Sequence, residues 1–165
     1  MGECESPRLL ADAMLGKLAR WLRLLGYDTA YLQADDAEVA ARARAEGRVL
    51  LTRDRGLAAR RGLRVVLLAS QDLTAQLVEV VRAVGELPEG IAPRCMRCNV
   101  PLEPITPAEV QGQVPDYVAA TESAFHRCPK CGKITWRGSH WTHIQAVLQQ
   151  IRAAVGADSE PPRDV

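Results

Sequence analysis

Long apolar runs and aromatic side chains are what this sequence has least of. Its 165 residues include three tryptophans, three tyrosines and one phenylalanine, and no stretch approaches the roughly 18 consecutive apolar residues of a membrane span. A charged-then-apolar leader with a small-residue cleavage site is also missing, so the expectation is a soluble cytoplasmic protein. Neither sign of charge is in excess: 21 Lys+Arg face 20 Asp+Glu, for a formal net charge of +1. That excludes a broad positive field able to hold nucleic acid unaided and leaves local clusters as the means of binding an acidic partner. The five cysteines are unevenly placed. Cys4 stands alone, whereas Cys95, Cys98, Cys128 and Cys131 make two C-x-x-C pairs, which in a reducing compartment read as metal ligands and not as disulfides. Length and composition suit one compact domain with a small appendage.

The first ninety residues alternate short apolar runs with helical patterns, the sign of an α/β protein with a parallel sheet. The spacing predicts strands over Arg8 to Ala11, Thr29 to Leu32, Val49 to Thr52 and Val65 to Ala69, the last two continuous enough to be covered on both faces. It predicts a helix from Met14 to Leu25 with Leu15, Leu18, Leu22 and Leu25 on one face, Lys17, Arg20 and Arg23 on the other, and Gly26 as its left-handed terminator. A second helix runs from Asp35 to Glu46 and closes at Gly47; a third carries Leu73, Leu77, Val80, Val81 and Val84 and ends at Gly85. Composition changes near Ile91. From Cys95 to Trp141 apolar periodicity is weak and four of the seven aromatics appear, as expected of a module held by metal more than by core. Ile144, Val147, Leu148, Ile151 and Val155 outline a last helix docked on the first unit or on this module. The expected division is a parallel-sheet core over 1–90, a ribbon over 91–141, a C-terminal helix over 142–156 and a disordered tail over 157–165.

Three carboxylates recur in one context. Asp12 follows the first strand, Asp36 the second and Asp54 the third, which in an open parallel sheet are crevice positions. Carboxylates converging there repel one another unless a hard cation neutralises them, and Mg²⁺ or Mn²⁺ takes oxygen ligands of this kind. Glu38 is a fourth candidate. One or two such ions activate a water and stabilise a phosphodiester during in-line displacement, so the implied chemistry is metal-assisted phosphodiester hydrolysis. Aspartate is also a common helix cap, and that reading stands beside the first for Asp12 and Asp54; Asp35 and Glu38 form a pattern like a capping box.

The two cysteine pairs are separated by 29 residues, and four thiolates in two knuckles suit a closed, structural Zn²⁺ site with no position left for water. His126 is a weaker substitute ligand. Lys17, Arg20 and Arg23 on the first helix, and Arg53, Arg55, Arg60, Arg61 and Arg64 around the third acid, flank the proposed crevice and suit phosphates. A solvated face is the competing reading for any one of them. In the ribbon, Arg127, Lys130, Lys133 and Arg137 accompany Phe125, Trp136 and Trp141; base stacking and simple packing are both open there, with packing favoured for the two indoles. His140 and His143, three apart, read as capping or packing residues before ligands.

The stretch Asp12-Ala13-Met14-Leu15-Gly16-Lys17-Leu18-Ala19-Arg20-Trp21-Leu22-Arg23-Leu24-Leu25-Gly26-Tyr27-Asp28 resembles the signature of the Mut-seven C-terminal RNase domain family, a branch of the PIN-like nucleases. Asp35-Asp36-Ala37-Glu38-Val39, Val49-Leu50-Leu51-Thr52-Arg53-Asp54, the two C-x-x-C pairs and Trp136-Arg137-Gly138-Ser139-His140-Trp141 resemble it in the same order. The resemblance implies a PIN-like parallel-sheet nuclease core with a small zinc ribbon and a C-terminal helix. It also implies a ribonuclease dependent on Mg²⁺ or Mn²⁺, with Asp12, Asp36 and Asp54 as metal ligands and catalytic residues and Glu38 auxiliary. RNA, in single-stranded form, is the expected partner, held by Lys17, Arg20, Arg23, Arg53 and Arg55. Many PIN-like nucleases carry a further acid shortly after the third, where this chain has Arg55-Gly56-Leu57; Asp72 is a possible substitute. That departure keeps a second reading open, a non-catalytic RNA-binding or adaptor protein of the same shape.

Overall fold

A computed structural model of the chain describes residues 6–87 and 91–157. Four strands, β1 (Leu9–Ala11), β2 (Thr29–Tyr31), β3 (Val49–Thr52) and β4 (Val65–Leu67), form a parallel sheet in the order β2-β1-β3-β4. Helices α1 (Gly16–Leu24), α2 (Asp36–Glu46), α3 (Arg55–Ala58) and α4 (Leu73–Val84) cover it. Successive residues of the two central strands enter opposite layers. Leu9, Ala11, Val49 and Leu51 pack with Leu18 and Leu22 of α1 and Leu77 and Val81 of α4, whereas Leu10 and Leu50 meet Val39 and Ala43 of α2 and Leu57 of α3. Covering both faces is why these strands read as unbroken apolar runs. A fully buried leucine contributes about 1.5–3 kcal/mol, more than a surface ion pair, so Leu10 and Leu50 fix the register that aligns the strand ends.

The first expected helix is divided. Asp12 caps a 3-10 turn, Ala13–Leu15, in which the Leu15 N–H reaches the Asp12 carbonyl at 3.1 Å; α1 continues from it. Gly26 ends α1 with φ +100°, the Tyr27 N–H bonding back to the Leu22 carbonyl at 2.9 Å. A Cβ at Gly26 would lie 2.7 Å from Ile91 Cγ2 and 3.2 Å from the Ala92 carbonyl oxygen, so the outgoing chain would have to shift to admit a side chain.

The second sheet is antiparallel, with β5 (Glu103–Ile105), β6 (Phe125–Arg127) and β7 (Ile134–Trp136) in sequence order. Between β5 and β6 lie a 3-10 turn, Pro107–Val110, and α5 (Asp116–Thr121), in a stretch where the sequence shows little apolar periodicity. Val110, Val114, Val118 and Phe125 give the ribbon an apolar core of its own, with Trp136 against it, so packing is the role of that indole. Helix α6 (Trp141–Ala157) begins before its expected start and lays Val147 and Ile151 in the same layer as α1 and α4, docking on the sheet core. The Arg82 guanidinium bonds the Ala154 carbonyl across that contact at 3.0 Å. Cys4 and the expected tail beyond Ala157 lie outside the described residues.

Candidate active site and metal centre

The strand order reverses at β1: the chain leaves β1 for β2 on one side and comes back to β3 on the other. Ligands of open parallel sheets bind outside the C-terminal strand ends at such a point. Each βα junction there carries an aspartate whose side chain accepts a helix N–H: Asp12 Oδ1 from Met14 at 3.1 Å, Asp35 Oδ1 from Glu38 at 2.9 Å, Asp54 Oδ1 from Leu57 at 3.0 Å and Asp72 Oδ2 from Ala75 at 2.9 Å. All four are caps. Asp12 is set apart by burial, being 7% exposed, and by its second oxygen, which accepts the Thr52 hydroxyl at 2.5 Å. Thr52 is fully buried and its Oγ1 in turn accepts the Asp54 N–H at 3.0 Å. One hydroxyl thus ties the ends of β1 and β3 together. Thr52 is a site residue that sequence reasoning missed; the available signal was a hydroxyl ending an otherwise apolar strand.

Asp36 and Glu38 are exposed in the first turn of α2, beyond the outer strand β2, whereas Asp12 and Asp54 share the β1/β3 junction. Among the described residues, the four cysteines are the one group of three or more ligand-type side chains within 4.8 Å of one another, so the three aspartates are not gathered that closely. Mg²⁺ keeps several waters and is held by one or two carboxylates, a requirement the hard oxygens of Asp12 and Asp54 fit in kind. Gly56 leaves Asp54 room: a Cβ there would lie 3.2 Å from Asp54 Oδ1. Arg53 follows β3 with its Nε buried and unpartnered among the described residues, and Arg55 is exposed in the first turn of α3. Arg61 and Arg64 depart from expectation. The Arg64 carbonyl pairs with the Leu50 N–H at the entry to β4, and the Arg61 carbonyl is bonded by Arg44 near the end of α2. In a parallel sheet the chain must return to the opposite edge before the next strand, and that return carries both arginines away from the crevice.

The cysteines form two knuckles of matching backbone. In the first, the Asn99 N–H bonds the Cys95 carbonyl at 2.8 Å and the Cys95 N–H the Val100 carbonyl at 2.9 Å; in the second, Gly132 bonds Cys128 at 2.9 Å and Cys128 bonds Lys133 at 3.0 Å. Asn99 and Gly132 hold the same left-handed position, at φ 61° and 75°. Cys95 and Cys131 sulfurs are 3.9 Å apart, against the roughly 3.8 Å edge of a tetrahedron with 2.3 Å Zn–S bonds. Donor type, count and spacing all fit zinc. Burial opposes ionisation of Cys128, but N–H groups of Cys131 and Lys130 outweigh it and bring that thiol down to about 7, whereas burial and the neighbouring thiols of Cys131, Cys128 and Cys95 push Cys98 up to about 12; four crowded thiols cannot all ionise without a shared cation.

The first knuckle is fastened to the sheet core. Arg23 donates from Nε to the Thr29 carbonyl at 2.8 Å and from Nη1 to the Met96 carbonyl at 2.7 Å, so this expected phosphate ligand is engaged in the seam. Asn99 donates to Asp28 Oδ1 at 2.8 Å and accepts the Thr29 N–H at 3.0 Å. Between α1, the ribbon and α6 this leaves a cleft of about 990 Å³, open along the length of α1 from Gly16 to Leu25. His143 meets Trp21 edge-on at 5.8 Å, a packing contact, while Trp141 lines the cleft with the Arg137 guanidinium 4.4 Å from its ring centre.

No helix among the described residues is long and apolar enough to cross a membrane. The family model described as the Mut7-C RNAse domain matches residues 7–148. No curated protein and no solved structure matches the sequence.

Proposed function

We propose that this chain, which belongs to the Mut7-C RNAse domain family, is a metal-dependent ribonuclease that hydrolyses RNA phosphodiester bonds at the C-terminal edge of its parallel sheet. The observation that carries the reading is Asp12: a nearly buried carboxylate, held by Thr52 at the point where strand order reverses, beside Asp54. Burying a carboxylate is costly, and a cap alone needs only one of its oxygens. Asp12, Asp54 and Asp36 would hold Mg²⁺ or Mn²⁺, with Glu38 as an auxiliary group on the same helix as Asp36. A bound ion supplies Lewis-acid polarisation of a phosphoryl oxygen and a water acidified towards hydroxide. In the hydrolysis, the oxygen of water bonds to phosphorus as the bond to the leaving ribose oxygen breaks, and the water's protons pass to that oxygen and to solvent.

The chain's own contribution is placement. Thr52 fixes the orientation of the Asp12 carboxylate, and Lys17, in the first turn of the helix that follows, offers a cation to an adjacent phosphate. Arg20, Arg53 and Arg55 are further phosphate contacts, each adding salt-dependent affinity without sequence information. The four-thiolate zinc is structural. A second reading, a non-catalytic RNA-binding protein, draws support from Gly56 standing where many PIN-like nucleases have an acid and from the use of Asp54 as a cap.

Cleavage of an unstructured RNA in Mn²⁺ by wild type, Asp12→Asn and Asp54→Asn separates the two. The expected outcome is turnover by wild type alone, with Mn²⁺ binding weakened in both variants by calorimetry. Equal rates in all three would overturn the nuclease assignment, and RNA binding that persists without Mn²⁺ binding would favour the second reading.

A further inference from the structure

The chain is nearly neutral, but the cleft between α1 and the ribbon is not. Among the described residues, eight Lys and Arg line it and no Asp or Glu does. Arg23 and Arg94 are engaged in the seam, Arg94 donating to the Asn99 carbonyl at 2.7 Å. The other six, Lys17, Arg20, Arg97, Lys133, Arg137 and Arg152, are all exposed and make no ion pair among the described residues. They come from three elements that meet only through tertiary structure: α1, the two knuckles with β7 and its exit, and α6. Six like charges facing one cleft repel one another, a cost that an anionic ligand removes.

We propose that this cleft is the track for a single strand of RNA, running along α1 from the zinc ribbon to the rim that carries Asp12. The inference deepens the ribonuclease reading and rests on it for the choice of RNA over other polyanions. Helix α1 crosses the sheet from its C-terminal edge, at Gly16 and Lys17, to the opposite edge, at Arg23 and Leu24, about 14 Å at 1.5 Å per residue. A strand following it therefore spans several nucleotides between the ribbon and the proposed point of cleavage. A second cavity of about 500 Å³ shares Lys133, Trp136, Arg137 and Trp141 with the cleft and carries the surface onward past His140 to Tyr117, which is 71% exposed. Unpaired bases are called for by the aromatic component. Trp141 belongs to none of the apolar clusters, is half-buried, and presents its ring with a cation already stacked on it, a surface that suits a base face. In duplex RNA the faces are stacked away and only backbone and groove edges remain.

The test uses the intact zinc-loaded chain, a fluorescent uridine oligomer of about 16 nucleotides and a short one of about 4. Two variants report independently: Lys133→Glu with Arg137→Glu in the ribbon, and Arg152→Glu on α6, away from the zinc knuckles; zinc content confirms that the ribbon is intact in each. Both are expected to bind the long oligomer at least tenfold more weakly than wild type, with a salt dependence shallower by about 0.7 for each phosphate no longer neutralised. For cleavage of the long oligomer KM rises while kcat is unchanged, and the short oligomer is cut at the wild-type rate. Unchanged affinity and salt dependence in both variants would overturn the track, as would equal or tighter binding of a duplex of the same length. Weakened binding in the variants together with no cleavage by wild type would support the track and remove the nuclease reading. Normal cleavage with unaltered binding would do the reverse.

Discussion

The Asn99 side-chain amide donates to Asp28 Oδ1 at 2.8 Å, and this bond pins the first cysteine knuckle to the sheet core. Its Oδ1 also accepts the Thr29 N–H at 3.0 Å, so a residue placed by the knuckle's backbone serves the N-terminal end of β2. Gly132 holds the equivalent position in the second knuckle, where nothing lies within 4 Å of a would-be Cβ. The two sites should respond oppositely. Asn99→Gly keeps the left-handed backbone accessible but loses both bonds, and is expected to cost about 1–3 kcal/mol, a fall of several degrees in Tm. Gly132→Asn places a tolerated left-handed residue in open space and is expected to be within about 0.5 kcal/mol of wild type. Thermal unfolding of the zinc-loaded protein measures both.

Asp28 also accepts from Arg48 Nη1 at 2.8 Å, and the Arg48 side chain is only 8% exposed. Burial pushes the Asp28 carboxyl up, but hydrogen bonds from Arg48 and Asn99 more than reverse this and hold it below the usual carboxylate range. A carboxylate with a lowered folded-state pKa contributes stability in full above its unfolded value of about 3.9, and that contribution disappears as pH falls through the folded value. The stability difference between wild type and Asp28→Asn, by urea unfolding, should be constant from pH 7 to about 5 and shrink below about 4. A difference independent of pH throughout would contradict the role given to Asp28.

Much of this architecture is local in origin and was legible in sequence. The apolar runs marking β1 to β4, Gly26 after α1, aspartates at helix starts and the knuckle spacing each follow from periodicity, backbone sterics or ligand chemistry within a few residues. What escaped was non-local. Thr52 gains its significance only because β3 pairs with β1, and Asn99 only because its knuckle lands on Asp28. Arg23 reads as one of three basic residues on a helix face, yet the docked ribbon engages it while leaving Lys17 and Arg20 without an ion pair among the described residues. The six-residue α5 is too short to establish a periodic signal.

Loss of zinc should separate the two halves of the molecule. The four cysteines would hold the knuckles together through a shared metal, helped by a few seam bonds, whereas Leu9, Leu10, Leu50 and Leu51 are fully buried in layers that do not contain the cysteines. About one zinc per chain is expected by elemental analysis. Cys95→Ser with Cys128→Ser should abolish it, and hydrogen exchange should show amides of β6 and β7 losing protection while those of β1 and β3 retain it. Full protection of the ribbon in the zinc-free double variant would contradict a structural metal.

The Thr52 hydroxyl distinguishes a carboxylate held for chemistry from one that merely caps. Thr52→Val keeps shape and volume but leaves Asp12 Oδ2 without its buried donor, and the Asp54 N–H without its acceptor. If Asp12 only caps the turn at Ala13–Leu15, the change costs stability of about 1–3 kcal/mol and nothing else, since the cap uses Oδ1. If Asp12 is a metal ligand, losing the group that orients it should also weaken Mn²⁺ binding or activity by roughly 10–100-fold, as is typical of residues that position metal ligands. Thr52→Ser restores the hydroxyl while trimming a methyl, and is expected to recover Mn²⁺ affinity even where stability stays reduced. Calorimetric Mn²⁺ titration of the three proteins, at a temperature where all are folded, decides between the two roles: loss in Val with recovery in Ser marks a ligand-positioning hydroxyl, and equal affinity in all three marks a structural cap.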